Sequence, residues 1–308
     1  MEALEECRLC PWDCRVNRRK GETGICRADD KVKVAKAYLH QWEEPCISGT
    51  KGSGTVFFSG CNLRCKFCQN YRISQEDFGK EVGIRELATV FLRLQDKGAH
   101  NINLVTPTIY IPQVAEAIRL AKESGLAIPV VYNTNAYENV EALKMLTGLV
   151  DVYLPDLKYN DDMLAFRLSS APHYFDVATK AILEMYHQVG EVALDDEGII
   201  KKGLIIRHLM IPGQLEDSKR VLDWIRGNLP AGVYVSIMSQ YVPLYRAKDI
   251  PELNKRVTEK EYDSIIDYFF NIGLENGYVQ EMESSSDEYV PDFDLEGLTV
   301  PEPIEHGM

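Results

Sequence analysis

From about residue 54 onward, short apolar runs alternate with amphipathic stretches, and this alternation restricts the fold more than any other feature of the chain. TVFFSG (55–60), NINLV (101–105), IPVVYN (128–133), VDVYLPDLK (150–158), GLIIRHLMI (203–211) and GVYVSIM (232–238) read as strands. Helical patterns fill 83–97, 112–125, 139–148, 160–189, 215–228 and, after the last strand, 258–273. IPQVAEAIRLAKESG shows the 3.6-residue period, with a Gly where a helix should stop. Strands alternating with helices predict βαβ units and a parallel sheet. A full eight-unit barrel takes ~250 residues, and about 220 residues here carry six units, so the pattern suits an open doubly wound sheet or an incomplete barrel. In both architectures chemistry sits at the carboxyl ends of the strands.

Three segments are expected. Residues 1–53 form a Cys-rich segment and a connector, with a strand at KVKVAKAYL; residues 54–275 carry the βα units; residues 276–308 form an acidic, irregular extension, solvated and loosely packed. No apolar run approaches the ~20 residues of a membrane span. MEALEECRLCPWDC lacks the basic and apolar regions of a signal peptide, so a soluble, cytoplasmic protein is expected, with no membrane partner. The net charge of -13, from 34 basic and 47 acidic residues, argues against nucleic acid as the main partner, because backbone binding needs a basic face.

All eight cysteines lie in the first 68 residues. A disulfide framework belongs to small secreted chains, so clustered cysteines here read as metal or redox sites. Cys61, Cys65 and Cys68 form a C-x3-C-x2-C array directly after the first barrel strand. Zinc sites and ordinary iron–sulfur clusters are closed by a fourth protein ligand, whereas an open metal position marks a catalytic site. Three thiolates on a four-iron cluster leave one iron open.

That spacing, the aromatic Phe67 before the third Cys and the position after a strand together resemble the radical S-adenosylmethionine (SAM) superfamily. GCNLRCKFCQN, the DLK at 156–158, IRHLMIPG at 206–213, VTPT, MSQY and YVPDF narrow the likeness to the uncharacterised pyruvate formate-lyase activating enzyme-like proteins. The resemblance implies a partial (β/α)6 TIM-like barrel with an N-terminal Cys-rich segment. It implies a [4Fe-4S] cluster on Cys61, Cys65 and Cys68, with SAM filling the vacancy. One electron from the reduced cluster would then cleave SAM to methionine and a 5′-deoxyadenosyl radical, which abstracts hydrogen from a substrate; the protein supplies binding, orientation and water exclusion.

Further residues carry over by position. Asp156 and Lys158 match the strand-four pair that contacts SAM, Arg207 an arginine that helps hold it, and Asn133, Thr134 and Asn135 an Asp-Thr-Asn stretch after strand three. The family's Gly-Gly-Glu loop is replaced by NLVTPTIY, so either Thr106, Thr108 or a carbonyl freed by Pro107 receives the SAM amino group, or the loop is plain turn chemistry. The family's histidine after strand six falls near Gln240 and Tyr241. His208 is either a further ligand or a satisfied core histidine.

Cys7, Cys10, Cys14 and Cys26 give C-x2-C-x3-C-x11-C, a second metal site in which a structural metal is favoured over an electron-relay cluster or reduced, metal-free cysteines; spacing alone does not separate zinc from iron–sulfur. Cys46 reads as a small buried hydrophobe. Arg64, Lys66 and Arg72 offer a local basic patch for an acidic electron donor such as flavodoxin or ferredoxin. Three functions remain open: activation of a glycyl-radical protein through a flexible loop, modification of a small molecule or peptide, and a non-catalytic metal scaffold with zinc in both sites.

Overall fold

The computed structural model describes residues 2–281 and 291–298. β1 (Val32–His40) leads through a single turn, α1 (Pro45–Ser48), into β2 (Ser53–Phe58). After α2 (Tyr71–Ser74) and the short β3 (Lys80–Val82), α3 (Ile84–Asp96) crosses to β4 (Ile102–Val105). The chain continues through α4 (Ile111–Glu123), β5 (Val130–Thr134), α5 (Val140–Leu143), β6 (Val152–Pro155), α6 (Asp162–Ser169) and α7 (Tyr174–Val189). It ends with β7 (Ala193–Leu194), β8 (Ile200–Leu209), α8 (Leu215–Asn228), β9 (Tyr234–Met238), α9 (Glu259–Asn271) and β10 (Gly277–Val279).

The sheet order is β10-β9-β8-β6-β5-β4-β2-β1-β3, with β7 flanking β8. From β2 to β10 the strands along this path pair in parallel, and β1 and β3 extend the edge antiparallel. To the six expected strands the structure thus adds β10, a seventh parallel strand too short to announce itself by alternation. The expected helix over 160–189 is two helices: Pro172 lacks an N–H and restricts Ala171 before it, and Ser170 and His173 turn with φ of 52° at the break.

Period-two alternation separates the two faces of the sheet. Ile102, Leu104, Tyr132, Tyr153, Ile206 and Val235 join the large core under the helices. Their neighbours Val131, Val152, Leu154 and Ile205 face inward and pack with Cys46 and Ile47 of α1, which closes the amino end of the barrel. Asn101 locks that plug by donating to the Ile47 carbonyl, 2.8 Å.

The acidic extension is not loose where the structure describes it. Residues 291–298 lie along β1: Leu295 N–H donates to Ala35 O, 3.1 Å, Ala37 N–H donates to Glu296 O, 2.8 Å, and Phe293 packs against Phe57 at 5.6 Å between ring centroids. Lys36, nearly buried, meets Asp294 and Glu296 at 3.2 and 3.1 Å. Most of YVPDF, from Pro291, belongs to this strap; Tyr289 and Val290 lie outside the described residues. No helix among the described residues is long and apolar enough to cross a membrane.

Candidate active site

β2 ends at Phe58, and the chain turns through Ser59 and Gly60 into the loop that carries Cys61, Cys65 and Cys68. Backbone bonds fix this loop on both sides: Gly60 N–H donates to Ile73 O, and Arg64 and Lys66 N–H donate to Ser169 and Leu168 O at the end of α6. The three thiols line one cavity of about 390 Å³ at the carboxyl ends of the strands, together with Phe67, Thr106 and Asp156. Each sulfur has a polar neighbour. Leu63 N–H and the Asn135 amide approach Cys61 Sγ at 3.4 and 3.5 Å, Ser169 Oγ approaches Cys65 Sγ at 3.0 Å, and Ser74 Oγ lies 3.2 Å from Cys68 Sγ. All three are free thiols. Burial pushes Cys61 up to about 11 and Cys68 up to about 12, and raises Cys65. A bound metal reverses this by holding the thiolate form. Among the described residues no three His, Cys, Asp or Glu side chains stand as ligands around one ion. Three soft donors on the wall of a large cavity suit a group bigger than an ion, bound on one side and open on the other.

The same cavity holds a buried charged network, whose Lys158 is close enough to Cys61 and Cys65 to act on both. Arg207 donates from Nε to Asp156 Oδ1, 2.9 Å, and from Nη2 to Asn133 Oδ1, 2.8 Å, and its Nη1 reaches Glu43 Oε2 at 3.4 Å. Lys158 Nζ donates to Asp156 Oδ2, 2.6 Å. Burial pushes the Asp156 carboxyl up, but the Arg207 and Lys158 cations outweigh it and hold it below the ordinary carboxylate range. Burial raises Glu43 and Glu44 against the opposing pull of Arg207. The structure brings the expected Asn133, Asn135, Asp156, Lys158 and Arg207 together around one cavity. The sequence reading misses Glu43 and Glu44; the only signal is the adjacent acid pair in QWEEP, between a strand and a Pro-started turn.

The remaining expectations divide. Thr106 lines the cavity with φ of 60°, a left-handed conformation that is costly for a β-branched residue. Thr108 points elsewhere: its hydroxyl donates to Glu138 Oε1, 2.9 Å, within a buried cluster that includes Thr134 and Tyr132. Burial raises Glu138 to about 7 there. Phe67 packs against Tyr241 at 5.7 Å, and Gln240 and Tyr241 both border the cavity. His208 is a satisfied core histidine, bonded to Leu157 O at 2.7 Å and Ser218 Oγ at 2.8 Å.

Two members of the expected basic patch have partners of their own. Arg64 turns onto the carbonyls of Cys61, Leu63 and Ile25, and Arg72 lies over the Phe78 ring at 5.0 Å. The Arg64 guanidinium is thus engaged with backbone acceptors of the cysteine loop, while Arg72 stays exposed.

Comparison with known proteins bears on the family and the fold. The family model of the radical SAM superfamily matches residues 55–225. An uncharacterized protein of Methanocaldococcus jannaschii is 33% identical over 274 residues, covering 86% of this chain and 74% of its own. A pyruvate formate-lyase-activating enzyme of Clostridium pasteurianum is 30% identical over 130 residues, 40% of this chain and 53% of that one. In fold, the chain is similar to Streptococcus suis SuiB bound to precursor peptide SuiA, with a TM-score of 0.51, 16% identity and coverage of 72% of this chain and 46% of that one. It is also similar to HydG, a maturase of the [FeFe]-hydrogenase, with a TM-score of 0.50, 13% identity and coverage of 77% and 53%. The chain spans about half the length of these two solved structures.

Proposed function

The chain belongs to the radical SAM superfamily, and from that premise we propose that Cys61, Cys65 and Cys68 hold its [4Fe-4S] cluster and that the strand ends lining the same cavity hold SAM. The observation that carries this reading is the shared cavity, lined both by the three thiols and by the Asp156–Lys158–Arg207 network. With cluster and SAM bound, the pair supplies one-electron cleavage of the sulfonium and a 5′-deoxyadenosyl radical for hydrogen abstraction.

The chain's own residues bind and orient. Lys158 is placed to neutralise the SAM carboxylate while Asp156 keeps it charged and fixed. Asp156, braced by Arg207, keeps acceptor capacity for a ribose hydroxyl. Asn133 and Asn135 add amide contacts. Phe67 offers an aromatic wall to the adenine. Thr106 takes the part of the absent Gly-Gly-Glu loop, receiving the SAM ammonium on its hydroxyl or carbonyl. The cavity lining sets three carboxyls, Glu43, Glu44 and Asp156, against two cations, Lys158 and Arg207. SAM, with a sulfonium, an ammonium and one carboxylate, brings the complementary net positive charge.

The finer reading is activation of a glycyl-radical protein, supported by the partial likeness to the Clostridium pasteurianum activating enzyme. A second reading, modification of a small molecule or peptide, is favoured by Glu44. Its Oε2 is buried with no hydrogen-bond partner among the described residues, a place for an ammonium-bearing substrate.

The test is 5′-deoxyadenosine formation by anaerobically reconstituted, dithionite-reduced protein, beside a Cys61→Ser, Cys65→Ser, Cys68→Ser triple variant. Product from the unmodified chain alone is expected. A loaded cluster that neither binds nor cleaves SAM would overturn the assignment.

A further inference from the structure

The N-terminal cysteines converge. Cys7, Cys10, Cys14 and Cys26 line one small cavity of about 10 Å³, bordered also by Arg18 and Gly24. The chain returns so tightly that a Cβ on Gly24 would fall 2.6 Å from Cys14 Sγ. Two features repeat those of the Cys61 loop. First, backbone N–H groups two residues on serve the sulfurs: Trp12 for Cys10 and Ala28 for Cys26, as Leu63 serves Cys61 and Asn70 serves Cys68. Such bonds favour the thiolate and recur where a chain wraps a metal centre. Second, these cysteines too are free thiols.

Arg18 supplies an independent observation. Its side chain is 1% exposed. Nε donates to Asp29 O, 2.7 Å, and Nη1 to Ile109 O, 2.5 Å, while the buried Nη2 has no partner among the described residues. Two carbonyl dipoles do not neutralise a buried guanidinium, and an unpaired buried charge is strongly unfavourable. Beyond these carbonyls it meets the Tyr110 ring, 5.7 Å from the guanidinium carbon, which carries no formal charge, and the cysteine cavity, with Cys26 close enough to feel its charge. A tetrathiolate centre carries net negative charge and is the missing counter-ion.

Size then separates the metals. Four sulfurs at about 2.3 Å from one zinc crowd together and leave no space between them. Here they enclose about 10 Å³, roughly the smallest volume that admits a water, and no single-ion arrangement is present among the described residues. We infer that Cys7, Cys10, Cys14 and Cys26 hold a second, fully ligated [4Fe-4S] cluster, with Arg18 as its buried counter-cation. This reverses the preference for a structural metal drawn from spacing alone. The second centre abuts the first through Asn62, which bonds the Cys10 thiol, accepts from Asn135 at 2.9 Å and directly follows Cys61. Trp12 Nε1 donates to Asn62 O, 2.8 Å, from the same side.

The experiment counts metal and needs no SAM. The full chain and the Cys61→Ser, Cys65→Ser, Cys68→Ser variant, which leaves the N-terminal site intact, are reconstituted anaerobically with iron and sulfide. About eight irons per chain are expected for the first and about four for the second, four for each cluster. The triple variant should keep an iron–sulfur absorption that bleaches on reduction. A folded triple variant without iron, or one carrying one zinc per chain, overturns the inference. Arg18→Met in the triple-variant background should lower the midpoint potential of the remaining cluster, since a lost cation disfavours the added electron; an unmoved potential refutes the counter-cation.

Discussion

Arg207 shows how one side chain organises a site: it joins β5, β6 and the Glu43 turn through Asn133, Asp156 and Glu43. Arg207→Met leaves Asp156 and Glu43 buried beside a single cation. SAM affinity measured by calorimetry on cluster-loaded protein should fall at least about tenfold, the equivalent of roughly 1.4 kcal/mol, with cluster content unchanged. His40 carries a pH dependence. Burial lowers it to about 4, below its unfolded value of about 6.5. Its neutral form therefore favours the fold above pH 6.5, and that contribution is lost as pH falls from 6.5 towards 4. Denaturation at pH 7 and pH 4.5 should differ by roughly 2 kcal/mol from this group, and His40→Gln should shrink the difference. Most of the site was legible at this scale, because Cys spacing and strand-end motifs are local strings. Glu43, Glu44 and Asn62 were not. Their importance comes from where the chain returns them, Glu43 beneath β4, β5 and β8 and Asn62 between two cysteine groups, and no local string encodes that return.

Among the elements, the parallel strands and their helices were read from periodicity because each buries one face or both. The exceptions have local causes: Pro172 divides α6 from α7, and β10 is three residues long and largely exposed. β10 nonetheless finishes one wall of the cavity, where Tyr278, Val279 and Gln280 stand. It can approach β9 only because residue 277 is Gly. With φ of 136°, a Cβ there would sit 1.9 Å from Val235 O. Gly277→Ala should therefore detach β10 and destabilise the chain by about 2 kcal/mol or more. Faster amide exchange is expected at Val235, which donates to Asn276 O, with α3 and α4 unaffected. Exchange spreading through the whole sheet would contradict so local a role.

At the scale of the whole molecule, the sheet is a partial barrel plugged at its amino end by α1 and edged by β1, with residues 291–298 strapped over that edge. Phe293 is the strap's anchor, 4% exposed among Ala35, Phe57, Ile73 and Val105. Phe293→Ala should cost about 3 kcal/mol, read as a lower midpoint in urea with an unchanged slope, and it should loosen the cavity at Pro291. The strap escaped sequence reading because its acidic alternation looks solvated; its acids are exposed while Phe293 and Leu298 turn inward.

This strap also sets an order of events during synthesis. β1 emerges early from the ribosome, but the segment that shields its edge and neutralises Lys36 is made some 255 residues later. Until residues 291–298 have been made, the nascent chain carries an uncapped strand edge and an ammonium without its anions, the condition that invites pairing between chains. A ribosome that stops before residue 291 thus releases a sticky product, not a trimmed enzyme.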